Sequence, residues 1–231
     1  MLSIKPPRNN FAFLMAGLLL LFILPPCLRL FVAGKVDVDI QRALLLMGFS
    51  LFALISVWSL YQNRWIFLIG LALALLNTAS VVALLSHSQA ILSFAFELIV
   101  FLSVILFSVL SCFIAGRHVF SWRDTDANSL IGAVCVYLLI GLIFAMFYTM
   151  FAFYWPQGAF QGMAFDSKTI QFDSFLYFSF VTLTTAGYGD ITPLNPLLRT
   201  LAYFEMITGQ FYMAILVSGL VAHFMGMRMS R

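Results

Sequence analysis

The chain has 231 residues, of which 63% are hydrophobic, 16% aromatic and only 9% charged, with 26 Phe. This balance excludes a water-soluble domain of such length, and a net charge of +3 scattered singly between apolar runs excludes a nucleic-acid surface. An all-α integral membrane protein with lipid as its surroundings is expected, and Cys27, Cys112 and Cys135, each inside an apolar run, read as small hydrophobic filler.

A helix needs roughly 20 apolar residues to cross the hydrocarbon core. On that criterion six crossings are predicted, at 11–32, 43–61, 65–85, 91–116, 130–154 and 196–226. Lys5 and Arg8 ahead of the first run resemble the start of a secretory signal, but apolar character continues past Pro25, Pro26 and Cys27. The run is therefore expected to be a membrane helix, bent or ended near the two prolines.

The first four crossings form a region over 1–116 with the layout of a voltage sensor. Its fourth run lacks the Arg or Lys at every third position that would couple it to the field, so steep voltage dependence is not expected. Two charges lie inside the apolar runs, Arg29 in the first and Glu97 in the fourth. They are candidates to pair with one another, as a polar lock or a sensor. Arg117 and Arg123 fall in a 117–129 linker, and the distribution of basic residues puts this linker and both termini in the cytoplasm.

The pore-forming part is predicted over 130–231, with an outer helix at 130–154 and an inner helix at 196–226 started by Asn195 and Pro196. Between them lies a short apolar run, expected as a helix over 174–184 behind an Asp173–Ser174 cap. At about half the length a crossing requires, this helix must enter the membrane partway and return. The return is TLTTAGYGDITP, residues 182–193. Non-helical backbone at membrane depth survives only when buried in protein or lining a water-filled path.

Gly187 and Gly189 permit positive φ, so a backbone alternating in handedness would aim successive carbonyls to one side. The carbonyls of Thr185, Ala186, Gly187 and Tyr188, with the Thr185 hydroxyl, would then replace the hydration shell of a monovalent cation. The negative end of the short helix and Asp190 at the mouth favour cations. One chain supplies one wall, and with no second such stretch in the sequence the other walls are expected from further subunits.

Residues 182–190 are similar to the selectivity filter of potassium channels, the T-x-x-T-x-G-Y-G-D pattern, at every fixed position. The stretches YFSFVTLTTAGYGDITP and EMITGQFYMAILVSGLV resemble bacterial members of the two-helix pore-domain superfamily. The resemblance implies a homotetramer around one potassium pathway, with Thr185, Ala186, Gly187, Tyr188 and Gly189 as the filter over 185–190. It further implies support from Thr182, Thr184 and Asp190 and an aromatic cuff from Tyr177 and Phe178. Ala186 departs from the branched aliphatic residue usual in the family. Val181 stands where some members carry a glutamate that bonds to the filter aspartate, so that partner of Asp190 is lost.

Gly209 matches a hinge position of the inner helix, against the alternative of close packing through a small residue. Alanine there is expected to change open probability and leave selectivity intact. Ser218, Val221 and Ala222 are candidates for an inner gate. Glu205 is expected to bond to the short helix or filter support. His223 is a candidate pH-sensitive group, with an interfacial helix end as the plainer account.

The resulting expectation is a potassium channel without an enzymatic step, with K+ as permeant ion and no cofactor. Its setting would be a prokaryotic inner membrane, and with Arg231 shortly past the last crossing no cytosolic ligand domain is expected. A potassium uptake transporter subunit and a non-conducting modulator on a channel scaffold are the alternatives.

Overall fold

A computed structural model describes residues 11–32, 38–60, 64–86, 90–119, 127–155, 158–162 and 172–229. In chain order the elements are α1 (Phe11–Val32), α2 (Val38–Ser56), α3 (Arg64–Ser86), α4 (Ala90–Val119), α5 (Ala127–Tyr154), β1 (Phe160–Gln161), α6 (Phe172–Leu183), β2 (Thr192–Pro193) and α7 (Pro196–Met229). A 3-10 turn at Val57–Leu60 follows α2. By contacts the chain divides into two units, Met1–Ala115 and Gly116–Arg231. Among the described residues, four stretches are long and apolar enough to cross a membrane: Arg64–Ala83, Phe96–Val119, Asn128–Tyr154 and Pro196–Gly219. Shorter apolar helical stretches lie at Phe11–Leu24, Leu45–Ser59 and Phe172–Leu183.

Two local expectations are corrected. Of the bend or end expected near Pro25 and Pro26, the end is overturned, since α1 continues through them to Val32; helices in an apolar setting tolerate proline where neighbours satisfy the carbonyls it frees. α6 begins at Phe172, so Asp173 lies in its first turn instead of capping it. There its negative charge faces the positive end of the helix dipole. The cap expected at α7 is present, with the Leu197 N–H donating to Asn195 Oδ1 at 2.8 Å and Pro196 opening the helix.

In the first unit the buried side chains include Leu14, Leu18 and Leu21 of α1, Phe49 and Phe52 of α2, and Phe101 and Phe107 of α4. The rings of Phe52 and Phe107 meet edge to face at 5.7 Å. A polar bridge crosses this interior: Ser50 donates to Asn77 Oδ1 at 2.8 Å, and Asn77 Nδ2 donates to Ser103 Oγ at 3.0 Å. It ties α2, α3 and α4 together where lipid offers no competing partner. Glu97 is buried in α4. The side chain of Arg29, its expected partner, lies outside the described residues.

The second unit is built around aromatic side chains. Tyr148 of α5, Phe160 of β1, and Phe175 and Phe178 of α6 pack with Ala152, Ala159, Leu198 and Ala202. The Tyr148 and Phe178 rings meet edge to face at 5.0 Å, an arrangement favoured by the ring quadrupoles. The cluster fixes α6 against α5 while α7 closes the other side.

Candidate cation filter

α6 ends in a cap that orients everything after it. The Ala186 N–H donates to the Val181 carbonyl at 2.9 Å and the Thr185 N–H to the Thr182 carbonyl at 2.9 Å. These are the two bonds of a Schellman motif, whose pivot residue adopts the left-handed conformation. The pivot is Thr185, with φ 59°, the sole non-glycine residue at positive φ among the described residues. A β-branched residue there is strained, and two backbone bonds hold it in place.

Gly187 at φ 55° and Gly189 at φ 80° continue the pattern, so residues 185, 187 and 189 are left-handed and Ala186 and Tyr188 are not. Handedness alternates over five residues. Such alternation aims successive carbonyls to one side of the strand. Residues 184–190 are all exposed in the single chain, Tyr188 at 73%.

The groups behind this strand are hydrogen-bonded to one another. Glu205 of α7, fully buried, accepts from Tyr148 Oη at 2.7 Å and lies 2.5 Å from Ser179 Oγ of α6. Ser179 Oγ is also 2.8 Å from the Gly141 carbonyl of α5. One carboxyl thus joins α5, α6 and α7. Thr182 is buried one turn before the pivot, and Thr184 Oγ1 folds back onto the Phe180 carbonyl at 2.7 Å.

Tyr177 Oη donates to Asp190 Oδ2 at 2.8 Å. Asp190 thereby has a partner one helical turn before Val181, whose side chain can offer none. Phe178 does not share that position: it turns into the Tyr148 and Phe160 cluster, away from Tyr177 and Asp190. Beyond the strand, Leu194 N–H donates to the Ala159 carbonyl at 2.9 Å, and β2 pairs antiparallel with β1. Gly162 just after β1 abuts the Asp190 carbonyl so closely that a Cβ would overlap it.

Replacing Tyr177 by Phe removes the bond to Asp190 without disturbing the buried cluster. The expected result is K+ over Na+ preference retained, with decay of flux during sustained conduction accelerated roughly threefold, the scale of one modest hydrogen bond. Time-resolved K+ flux from liposomes measures it; an unchanged decay would show that Asp190 needs no such restraint.

Two residues absent from the sequence expectations take part. Tyr148 meets Glu205 across 57 positions of sequence, and Gln210 Nε2 donates to Thr185 Oγ1 at 3.0 Å. A polar side chain directly after Gly209 in an apolar helix was the available signal for Gln210. Gly209 itself lies against the Leu183 carbonyl at the end of α6. Ser218, about 14 Å further along α7 at 1.5 Å per residue, bonds to the Ile215 carbonyl at 3.0 Å. The side chains of Val221, Ala222 and His223 lie outside the described residues.

Residues 132–225 match a family model described as "Ion channel". Over 48 residues the chain is 44% identical to two-pore potassium channel 2 of Arabidopsis thaliana and to two pore potassium channel c of Oryza sativa subsp. japonica. These alignments cover 21% of this chain and 11% and 10% of the relatives, so the chain matches about a tenth of their length. No solved structure matches.

Proposed function

We propose, from the premise that residues 132–225 are an ion channel domain in an integral membrane protein, that the chain assembles as a homotetramer conducting K+ selectively and passively. The observation that carries this reading is the alternating handedness of residues 185–189 at the end of a 12-residue helix. Such a strand offers a ladder of oxygens but only one side of a cage, so four copies around an axis complete it. α6 would be a re-entrant helix, α1–α5 and α7 would be the six crossings, and both termini would face the cytoplasm. K+ would be held by Thr185, Ala186, Gly187 and Tyr188.

Potassium selectivity is carried by the match of residues 182–190 to the filter pattern and by the potassium channels among the relatives. The prokaryotic inner membrane does not enter the proposal, because both relatives are plant proteins. Voltage sensing by gating charges does not enter it either: between Phe96 and Gly116 the single ionisable side chain besides Cys112 is Glu97.

The test is reconstitution of the purified chain in liposomes, comparing K+ with Na+ flux and applying Ba2+ as a blocker. K+ flux that Ba2+ blocks and Na+ does not match is expected, from particles of four chains, with conductance varying little with potential. Equal Na+ flux would sink the selectivity, absence of flux would favour a non-conducting modulator, and a conductance moving several charges per subunit would refute the voltage-independent reading.

A further inference from the structure

We infer that Gln210 is a positioning residue for the Thr185 hydroxyl, and through it sets how tightly the innermost cation site of the filter holds its ion; the inference rests on the filter reading above. Gln210 Nε2 lies 3.0 Å from Thr185 Oγ1. A hydroxyl has one hydrogen and two lone pairs. An amide N–H that occupies one lone pair keeps the hydroxyl hydrogen from turning that way and leaves the second lone pair for a cation. The Thr185 backbone is already held by the bonds from 185 to 182 and from 186 to 181, so the hydroxyl rotor is the freedom left for α7 to control.

The reach is set by the preceding residue. Gly209 brings α7 against the Leu183 carbonyl, and from there a glutamine side chain spans the remaining gap to Thr185. The two groups share a groove of about 400 Å³ with Met206, Ile207, Phe211 and Ala214. Four of its six lining side chains are apolar, so few groups besides water compete for the Thr185 oxygen. Among the described residues, α7 thus reaches the filter through the Gln210 amide, at the residue whose oxygens open the ladder.

Ba2+ is a sensitive probe of such a site, since it is close to K+ in size and carries twice the charge, so it reports the field of the coordinating oxygens. In the full-length reconstituted channel, Gln210→Leu is expected to conduct K+ while its Ba2+ inhibition constant, measured from the side that the groove faces, rises about three- to tenfold, the range for one lost hydrogen bond. Gln210→Asn keeps the amide but is one methylene shorter, and should shift Ba2+ block as Leu does. In a Thr185→Ala background, Gln210→Leu should add nothing further. Unchanged Ba2+ block in both Gln210 variants, or an equal shift with and without the Thr185 hydroxyl, would overturn the inference. If either variant fails to assemble, the other carries the test. A wild-type chain that carries no K+ would instead remove the channel reading itself, so the two failures are distinct.

Discussion

Glu205→Leu is expected to abolish K+ flux and to lower the yield of assembled protein, whereas Glu205→Gln is expected to keep flux within about threefold of the native chain. The carboxyl is fully buried and meets two hydroxyls that are themselves buried, Tyr148 and Ser179. Leucine would leave the Tyr148 hydroxyl facing an apolar side chain, while Ser179 would keep only its bond to the Gly141 carbonyl. An orphaned group costs about 1–3 kcal/mol, and a tetramer would carry the loss four times.

Glutamine fits because of how the hydrogens can be shared. Ser179 has one hydrogen and lies within bonding distance of both the Gly141 carbonyl and Glu205 Oε1. A glutamine amide can donate to Ser179 Oγ, Ser179 to Gly141, and Tyr148 to the glutamine carbonyl, which satisfies every group without a net charge. Size-exclusion yield and liposome flux for the two variants decide the matter. A glutamine variant as damaged as the leucine one would mean that the charge is required; a leucine variant with native flux would mean that the network supports nothing.

What was legible in the sequence follows from how local each signal is. The bounds of α3, α5 and α7 could be read to within a few residues because apolar length is a property of a continuous run. Filter glycines were legible because positive φ has few tenants. Thr185 was legible as a filter residue but its left-handed backbone was not, since side-chain preference argues against a β-branched residue at φ 59° and the two capping bonds decide otherwise. Glu205 was expected to reach the short helix and does so at Ser179. Its second partner, Tyr148, depends on how α5 and α7 approach, which no local pattern encodes. Phe178 illustrates the same limit: its neighbour Tyr177 points to Asp190, but a helix turns about 100° per residue, and the α5 aromatics claim Phe178.

Gly209→Ala is expected to raise Na+ permeability as well as to alter open probability, which departs from the hinge-only expectation. α7 runs unbroken from Pro196 to Met229 across this residue. A Cβ at 209 would overlap the Leu183 carbonyl oxygen and approach Leu183 Cδ1 to 3.0 Å. The oxygen belongs to the backbone and cannot rotate aside, so α7 or the end of α6 must shift. Overpacking of this kind costs about 1–3 kcal/mol per site. The shift falls on the turn whose carbonyls at 181 and 182 hold Thr185 and Ala186, so displacement there reaches the first rung of the oxygen ladder. Leu183→Ala should not rescue the variant, because it removes the Cδ1 contact and leaves the carbonyl. Bi-ionic K+ and Na+ flux together with single-channel recording separates the two roles: altered open probability at native selectivity would assign Gly209 to hinge motion alone, while loss of both assigns it to the close approach that positions the filter.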